Sequence, residues 1–199
     1  MNIKLIFVIL SSLVSISCFV PYIIDIFKGT TKPHSYSWII WTILQTAGVI
    51  AMASAGAGWG IASLSIGAIL CGFIFILSFF YGTHNIKTFD TICLIGALIA
   101  IVIYFFLHSA ILSIIIVTIT DLVGFLPTIR KSYEEPETET SLTYILSSIS
   151  SILAIGALTI FNFTTSLYLL SLVLSNGICA IIIITRKKSL KKQINCVTI

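Results

Sequence analysis

Long apolar runs of about twenty residues alternate with short polar, glycine-containing or proline-containing breaks along the whole chain. A bilayer core about 30 Å thick is crossed by roughly 20 apolar residues in a helix, and lipid offers the backbone no hydrogen-bond partner. The pattern therefore predicts an all-α integral membrane protein with seven transmembrane helices. The predicted spans are residues 3–24, 36–55, 61–81, 91–107, 109–128, 141–161 and 165–185.

Composition supports this fold class and limits the kinds of functional site to be expected. Of the 199 residues, 58% are hydrophobic and only 9% are charged, whereas soluble domains carry about 25% charged residues. The first apolar run is too long for a cleaved leader, so we expect it to be retained. The cysteines lack disulfide or zinc spacing, and His34, His84 and His108 fall in separate connections. We therefore expect no metal, no cofactor and, since no nucleophile arrangement or phosphate-binding loop is present, no enzyme.

The basic residues predict the orientation. The first, third and fifth connections and the tail are basic, while the second, fourth and sixth connections carry no lysine or arginine. By the positive-inside rule this predicts a multi-pass protein of the cell membrane with its N-terminus outside and its tail, residues 186–199, in the cytoplasm. The tail is thus a membrane flank, and nucleic acid is not an expected partner. The residues used are Lys28, Lys32, Lys87, Arg130, Lys131, Arg186, Lys187, Lys188, Lys191 and Lys192.

Two halves of the chain, residues 1–81 and 109–185, repeat one pattern. Pro21 corresponds to Pro127, and Pro33 corresponds to Pro136; these are all four prolines. Small residues also recur every four positions, as Ser63, Gly67 and Cys71 in the third span and as Ser171, Ser175 and Cys179 in the seventh. Such stripes let helices pack closely in lipid.

The number of membrane crossings then predicts the arrangement of the helices. A three-helix repeat ends on the side of the membrane opposite to the one on which it begins. A fourth span between the two repeats therefore makes both repeats face the same way. We therefore predict two parallel three-helix bundles joined by a linker helix within residues 82–108, a 3+1+3 plan.

The repeat, the parity and the proline positions resemble the SWEET and PQ-loop transporter superfamily over nearly the whole chain; vitamin transporters of the nicotinamide riboside type share the 3+1+3 plan. The resemblance implies that the four prolines act as hinges near a cytoplasmic gate. It also implies a substrate contact for Asn176, although the family's asparagine pair is here Asn176 and Ala68, and the family's Pro-Gln dipeptide is here Pro21-Tyr22 and Pro127-Thr128. For Pro33 and Pro136, capping of a helix start is an equal alternative.

Four residues are candidates for contact with a substrate. Asp121 lies roughly 13 Å from the cytoplasmic end of its span, where a carboxyl group usually faces a cavity. The alternative roles for Asp121 are a proton site or a structural hydrogen bond to a serine of the sixth span. Asn176 and Gln45 offer amide donors and acceptors, with interhelical bonding as the alternative. Trp41 lies one turn from Gln45, whereas Trp38 and Trp59 have the positions of interfacial anchors.

The acidic connection with Glu134, Glu135, Glu137 and Glu139 is expected to be solvated, with a gate ion pair to Lys28 or Lys32 as the alternative. Together these features predict a transporter for a small neutral or zwitterionic polar solute, working by alternating access, with proton coupling left open. A receptor of the same fold that binds without conducting is the alternative. Two repeats in one chain suffice for a pathway, so an oligomer is not required.

Overall fold

The computed structural model describes residues 3–106 and 109–197, so His108, considered above as a metal ligand, lies outside the described residues. Within these ranges the chain forms seven α-helices and no strand, with short 3-10 helices at Gly58–Ile61 and Pro136–Thr138. The all-α prediction is confirmed. The helices are α1 (Ile3–Phe27), α2 (Ser35–Ser54), α3 (Ala62–Tyr81), α4 (Thr88–Phe106), α5 (Ala110–Glu134), α6 (Ser141–Ala157) and α7 (Phe163–Val197).

Five of the helices, α1, α2, α3, α5 and α7, are long and apolar enough to cross a membrane, and α4 and α6 contain shorter apolar segments. The outer surface carries many exposed large side chains, including Ile69, Phe80 and Leu174. An apolar surface of this extent is unfavourable in water and favourable in hydrocarbon. The protein is therefore membrane-embedded.

Three helix ends differ from the sequence prediction. α5 continues to Glu134 instead of ending near residue 128, because Pro127 is accommodated inside the helix. α7 continues through the basic tail to Val197, since lysine and arginine are good helix formers where water solvates their charges. α6 ends early, at Ala157: Leu158 is extended, and the Thr159 N–H donates to the Ala57 carbonyl oxygen of the opposite half.

The helix contacts come in matching pairs. α3 packs against α1 and α2, and α7 packs against α5 and α6. Between the halves α1 packs against α6, and α2 packs against α5, while α4 lies against α5 and α2. The interface between the halves is thus formed by α1 and α2 on one side and α5 and α6 on the other.

The two stripes of small residues face inward, as predicted. Ser63, Gly67 and Cys71 are buried in α3, and the corresponding serines and Cys179 are buried in α7. Serine hydroxyls also bond across helices. Ser15 Oγ donates to the Ser63 carbonyl at 3.0 Å, and Ser150 Oγ donates to the Ser11 carbonyl at 2.9 Å. Close packing and interhelical hydrogen bonds are the forces that hold helices together in lipid.

Candidate functional site

All four candidate substrate contacts line one cavity at the centre of the helix bundle. Trp41 and Gln45 come from α2, Asp121 from α5 and Asn176 from α7, and α1, α3 and α6 complete the wall. The cavity has a volume of about 70 Å³, whereas pockets for small ligands usually measure about 300–1,000 Å³. In the described arrangement it has room for a few water molecules at most.

Asp121 is fully buried at this cavity, and only one of its two carboxylate oxygens lies near a hydrogen-bond donor of the described chain. Its Oδ1 lies 3.5 Å from the Tyr168 hydroxyl of α7, which is a long distance for an O–H···O hydrogen bond. Its Oδ2 has no hydrogen-bond partner among the described residues. The alternative of a hydrogen bond to a serine of the sixth span is not seen among the described residues: the neighbouring hydroxyl belongs to Tyr168 of α7, which packs against α5.

Gln45 reaches into the cavity toward α3. Its Nε2 lies 3.0 Å from the Sγ of Cys71, a weak acceptor. Gly67, one turn before Cys71, leaves room for this side chain, because a Cβ at Gly67 would overlap with Gln45 Oε1. Asn176 donates from Nδ2 to the Leu172 carbonyl of its own helix at 2.9 Å. The Gln45 amide thus has only a weak acceptor, and the Asn176 amide bonds within its own helix. A solute can compete for both hydrogen bonds.

Aromatic rings form one wall of the cavity. The Trp41 ring lies 4.7 Å from Phe125 and 5.1 Å from Trp38, centroid to centroid. Trp41 Nε1 is buried without a partner among the described residues, beside Gly124, one turn after Asp121. Trp41 Nε1 and Asp121 Oδ2 are therefore two buried polar atoms without partners in the described ranges that belong to residues lining the same cavity.

The expected anchor role was wrong for Trp38. Trp38 is only 3% exposed, because its ring packs on Tyr22 and Phe19 of α1 and lines the cavity. Trp59 is 78% exposed, and this position fits an anchor at the membrane interface.

A buried lysine joins the two halves at one end of the bundle. Lys131 Nζ donates to Glu139 Oε1 at 2.8 Å, to the Thr138 carbonyl and to the Lys32 carbonyl of the opposite half. The Tyr144 hydroxyl donates to the other oxygen of Glu139. The expectation of a solvated acidic connection was wrong at Glu139. Its partner is Lys131 of the same half, instead of Lys28 or Lys32, because the connection folds back on the end of α5.

A second polar cluster lies at the same end. Arg130 donates from Nε and Nη2 to the two carboxylate oxygens of Asp90, and the fork geometry of guanidinium favours this pairing. His34 Nε2 lies 3.3 Å from Asp90 Oδ2 without a well-aligned hydrogen bond. Glu134 also binds Lys87 and Arg130. Burial lowers the pKa of His34 below its usual value, and this outweighs the attraction of Asp90.

These end clusters were not predicted as sites from the sequence. The signal was present in Asp90, an acidic residue directly before the predicted fourth span, and in the adjacent basic pair Arg130 and Lys131. Their partners could not be inferred, because Asp90 and Arg130 are 40 positions apart and Lys131 and Lys32 are 99 positions apart.

The four prolines fall into two structural classes. Pro21 lies inside α1 and Pro127 lies inside α5. Pro33 precedes α2, and Pro136 is the first residue of a 3-10 helix. The helix-start position of the capping alternative matches Pro136, whereas Pro33 lies one residue before His34, the N-cap of α2. The interior position of the first pair is the one at which proline kinks a helix.

The chain matches no protein-family model, no curated protein and no solved structure with which it was compared. The remaining evidence on function is its own geometry: a membrane-embedded helical protein with a small and partly unsatisfied polar cavity between its two halves.

Proposed function

We propose that the protein is a membrane transporter of the SWEET-like type, which moves a small polar solute by alternating access. The observation that carries the proposal is the central cavity, to which both halves contribute and in which Asp121 Oδ2 and Trp41 Nε1 lack partners. Buried polar atoms are normally hydrogen-bonded. A binding site that waits for a solute is a physical reason for leaving such atoms, which here also include Thr143 Oγ1, unsatisfied at one cavity.

The 3+1+3 plan is part of this proposal. Exchange of the first and second repeats converts the α1 contact with α6 into the α5 contact with α2, and both contacts are present. The residues Trp41 and Tyr144, which are equivalent in the repeat, both line the cavity. These matched contacts support two parallel units related by an axis along the membrane normal.

The proposed orientation places the N-terminus outside and the tail in the cytoplasm. The Lys131 and Arg130 clusters then close the cytoplasmic end, where the connections after α1, α3 and α5 meet. In the transport cycle this end opens by separating Lys131 from the Lys32 carbonyl, and α1 and α5 bend at Pro21 and Pro127. The substrate reaches Asn176, Gln45, Asp121 and Trp41 from either side in turn.

A non-conducting receptor is the second candidate, and the burial of Lys131 favours it. Lys131 and Glu139 are almost fully buried, and opening this end would remove the Lys32 carbonyl from the Lys131 ammonium group, which is unfavourable unless water or a new partner replaces it. A receptor would keep this end closed permanently. It would bind a ligand without flux.

The test is flux into proteoliposomes, screened over sugars, nucleosides, vitamins and amino acids. We expect one class to accumulate, and Asn176→Ala or Gln45→Ala to abolish its uptake. Gln193→Ala, which removes an exposed amide from the tail helix, is the matched control and keeps full uptake. Saturable binding without flux for every compound would support the receptor and contradict transport.

A further inference from the structure

The central cavity has an acidic side chain and, among the described residues that line it, no basic one. Among the described residues that line it, Asp121 is the single acidic side chain, and no lysine, arginine or histidine is present. Oδ2 of Asp121 is buried and unpartnered, and its Oδ1 has only the distant Tyr168 hydroxyl. A buried carboxylate without a counter-charge is costly, so the cavity has a place for a positive group and none for a second negative one.

The remaining wall is suited to the same kind of group. Ring faces are electronegative and attract ammonium ions, most strongly where water is excluded. Trp41 and Phe125 are tilted by 51° at 4.7 Å, so their faces are not stacked flat against each other. Five aromatic side chains line the cavity: Phe19, Trp38, Trp41, Phe125 and Tyr144.

We propose that the solute carries an ammonium group, either a protonated amine or a quaternary ammonium, and that Asp121 is its counter-charge. The apolar part of the solute packs on Trp41 and Phe125. Gln45 and Asn176 bind its neutral polar groups. A zwitterion meets the requirement through its ammonium end but finds no basic residue for its carboxylate. This inference rests on the proposed function for the movement of the solute, although not for its binding.

A neutral solute fits the cavity less well for a physical reason. Hydroxyl groups can donate a hydrogen bond to Asp121, but they leave its charge uncompensated. A buried charge without a counter-charge carries a desolvation penalty. The ammonium group removes this penalty, whereas an anion increases it.

The test compares isosteric pairs that differ in charge. The probes are choline with 3,3-dimethylbutan-1-ol, and phenethylammonium with 2-phenylethanol, each titrated to millimolar concentrations against the full chain in detergent. Thermal stabilisation reports binding. We expect each cation to bind at least about tenfold more tightly than its neutral partner, which corresponds to about 1.4 kcal/mol.

Two variants, each with a control, test which residues cause the preference for the cation. Asp121→Asn is expected to abolish the preference for the cation, whereas Glu137→Gln, which neutralises an exposed carboxylate, keeps it. Trp41→Leu weakens binding of the cations, whereas Trp59→Leu, at an exposed position, does not. The comparison in the unmodified protein decides the question alone if a variant does not fold.

Equal binding of cation and neutral isostere, a charge preference that survives Asp121→Asn, or no stabilisation by any of these ammonium ions would overturn the inference. The proposal of transport can fail independently of this inference. Asp121-dependent binding of ammonium without flux in proteoliposomes supports the inference and contradicts transport. Uptake of a neutral solute at an unchanged rate in Asp121→Asn supports transport and overturns the inference.

Discussion

Lys131 and Glu139 form an ion pair with an Nζ–Oε1 distance of 2.8 Å, and their side chains are 0% and 1% exposed. Two backbone carbonyls and the Tyr144 hydroxyl complete the shell around the pair. Because one of those carbonyls belongs to Lys32, the pair also holds the connection between α1 and α2 against the connection between α5 and α6. The stability of this end therefore depends on a charge that water cannot reach.

Replacing only the lysine should be strongly destabilising. We expect Lys131→Met to lower the free energy of unfolding by about 3–5 kcal/mol, because Glu139 would remain as an unpaired buried charge. The double variant Lys131→Met with Glu139→Gln should recover much of the loss, since the glutamine oxygen can still accept from Tyr144. Equilibrium unfolding in mixed micelles measures the difference.

The control for this pair is a surface ion pair at the same end. Lys87 and Glu134 are 51% and 33% exposed, so Lys87→Met should cost no more than about 1 kcal/mol. A Lys131→Met variant as stable as Lys87→Met would show that the buried pair is not important for stability.

His34 should make stability depend on pH. Burial lowers its pKa below the usual value of 6.5, against the attraction of Asp90 and with the repulsion of Lys131 and Arg130. The unfolded chain then binds more protons than the folded one, so stability is fully present above pH 6.5 and declines as pH falls through this value toward the lowered pKa. Thermal unfolding between about pH 8 and pH 5 measures the slope.

The matched variants for this effect are His34→Gln and His84→Gln. His34→Gln should flatten the pH dependence between neutral and mildly acidic pH, and His84→Gln, at an exposed position, should leave it unchanged. An unaltered slope in His34→Gln would assign the pH dependence to another group.

Gly67 should control the space available to a solute. In Gly67→Ala the added methyl group would displace the Gln45 side chain into the cavity, so we expect binding or uptake to fall by about tenfold or more, a change of about 1.4 kcal/mol. Stability should stay within about 1 kcal/mol, because alanine is a better helix former than glycine and Gln45 is flexible.

Gly96→Ala is the control for the cavity, since a Cβ at Gly96 in α4 has nothing within 4 Å. It should keep both binding and uptake. Equal losses in the two variants would place the effect on the helices in general rather than on the cavity.

Pro127 should affect movement more than binding. Pro127→Ala returns a backbone N–H and relieves the clash of the ring with the preceding turn, so α5 straightens and bends less readily. We expect uptake to slow by about tenfold, an added barrier of about 1.4 kcal/mol, with binding of the solute retained. Parallel flux and binding titrations measure the two quantities.

Pro136→Ala provides the comparison, because Pro136 begins a 3-10 helix, a position where proline replaces no needed donor. Its uptake should remain close to that of the unmodified protein. If Pro136→Ala slowed uptake and Pro127→Ala did not, the hinge would lie at the connection instead of inside α5.

The helices and four of the residues at the cavity follow from local sequence alone. In lipid an apolar run of sufficient length can satisfy its backbone only as a helix, so the number of helices follows from local composition. Trp41, Gln45, Asp121 and Asn176 meet at one cavity because a polar side chain at membrane depth avoids lipid and turns toward the bundle interior.

The burial of the charged residues and the identity of their partners could be known only from the packed fold. The burial of Lys131 depends on the Lys32 carbonyl of the opposite half, and the place of Asp90 depends on Arg130. Trp38 packs on α1, and Asp121 lies beside a tyrosine of α7. The free energy of burying a polar or charged group depends on its partners, and these partners come from distant segments that meet only when the two halves pack together.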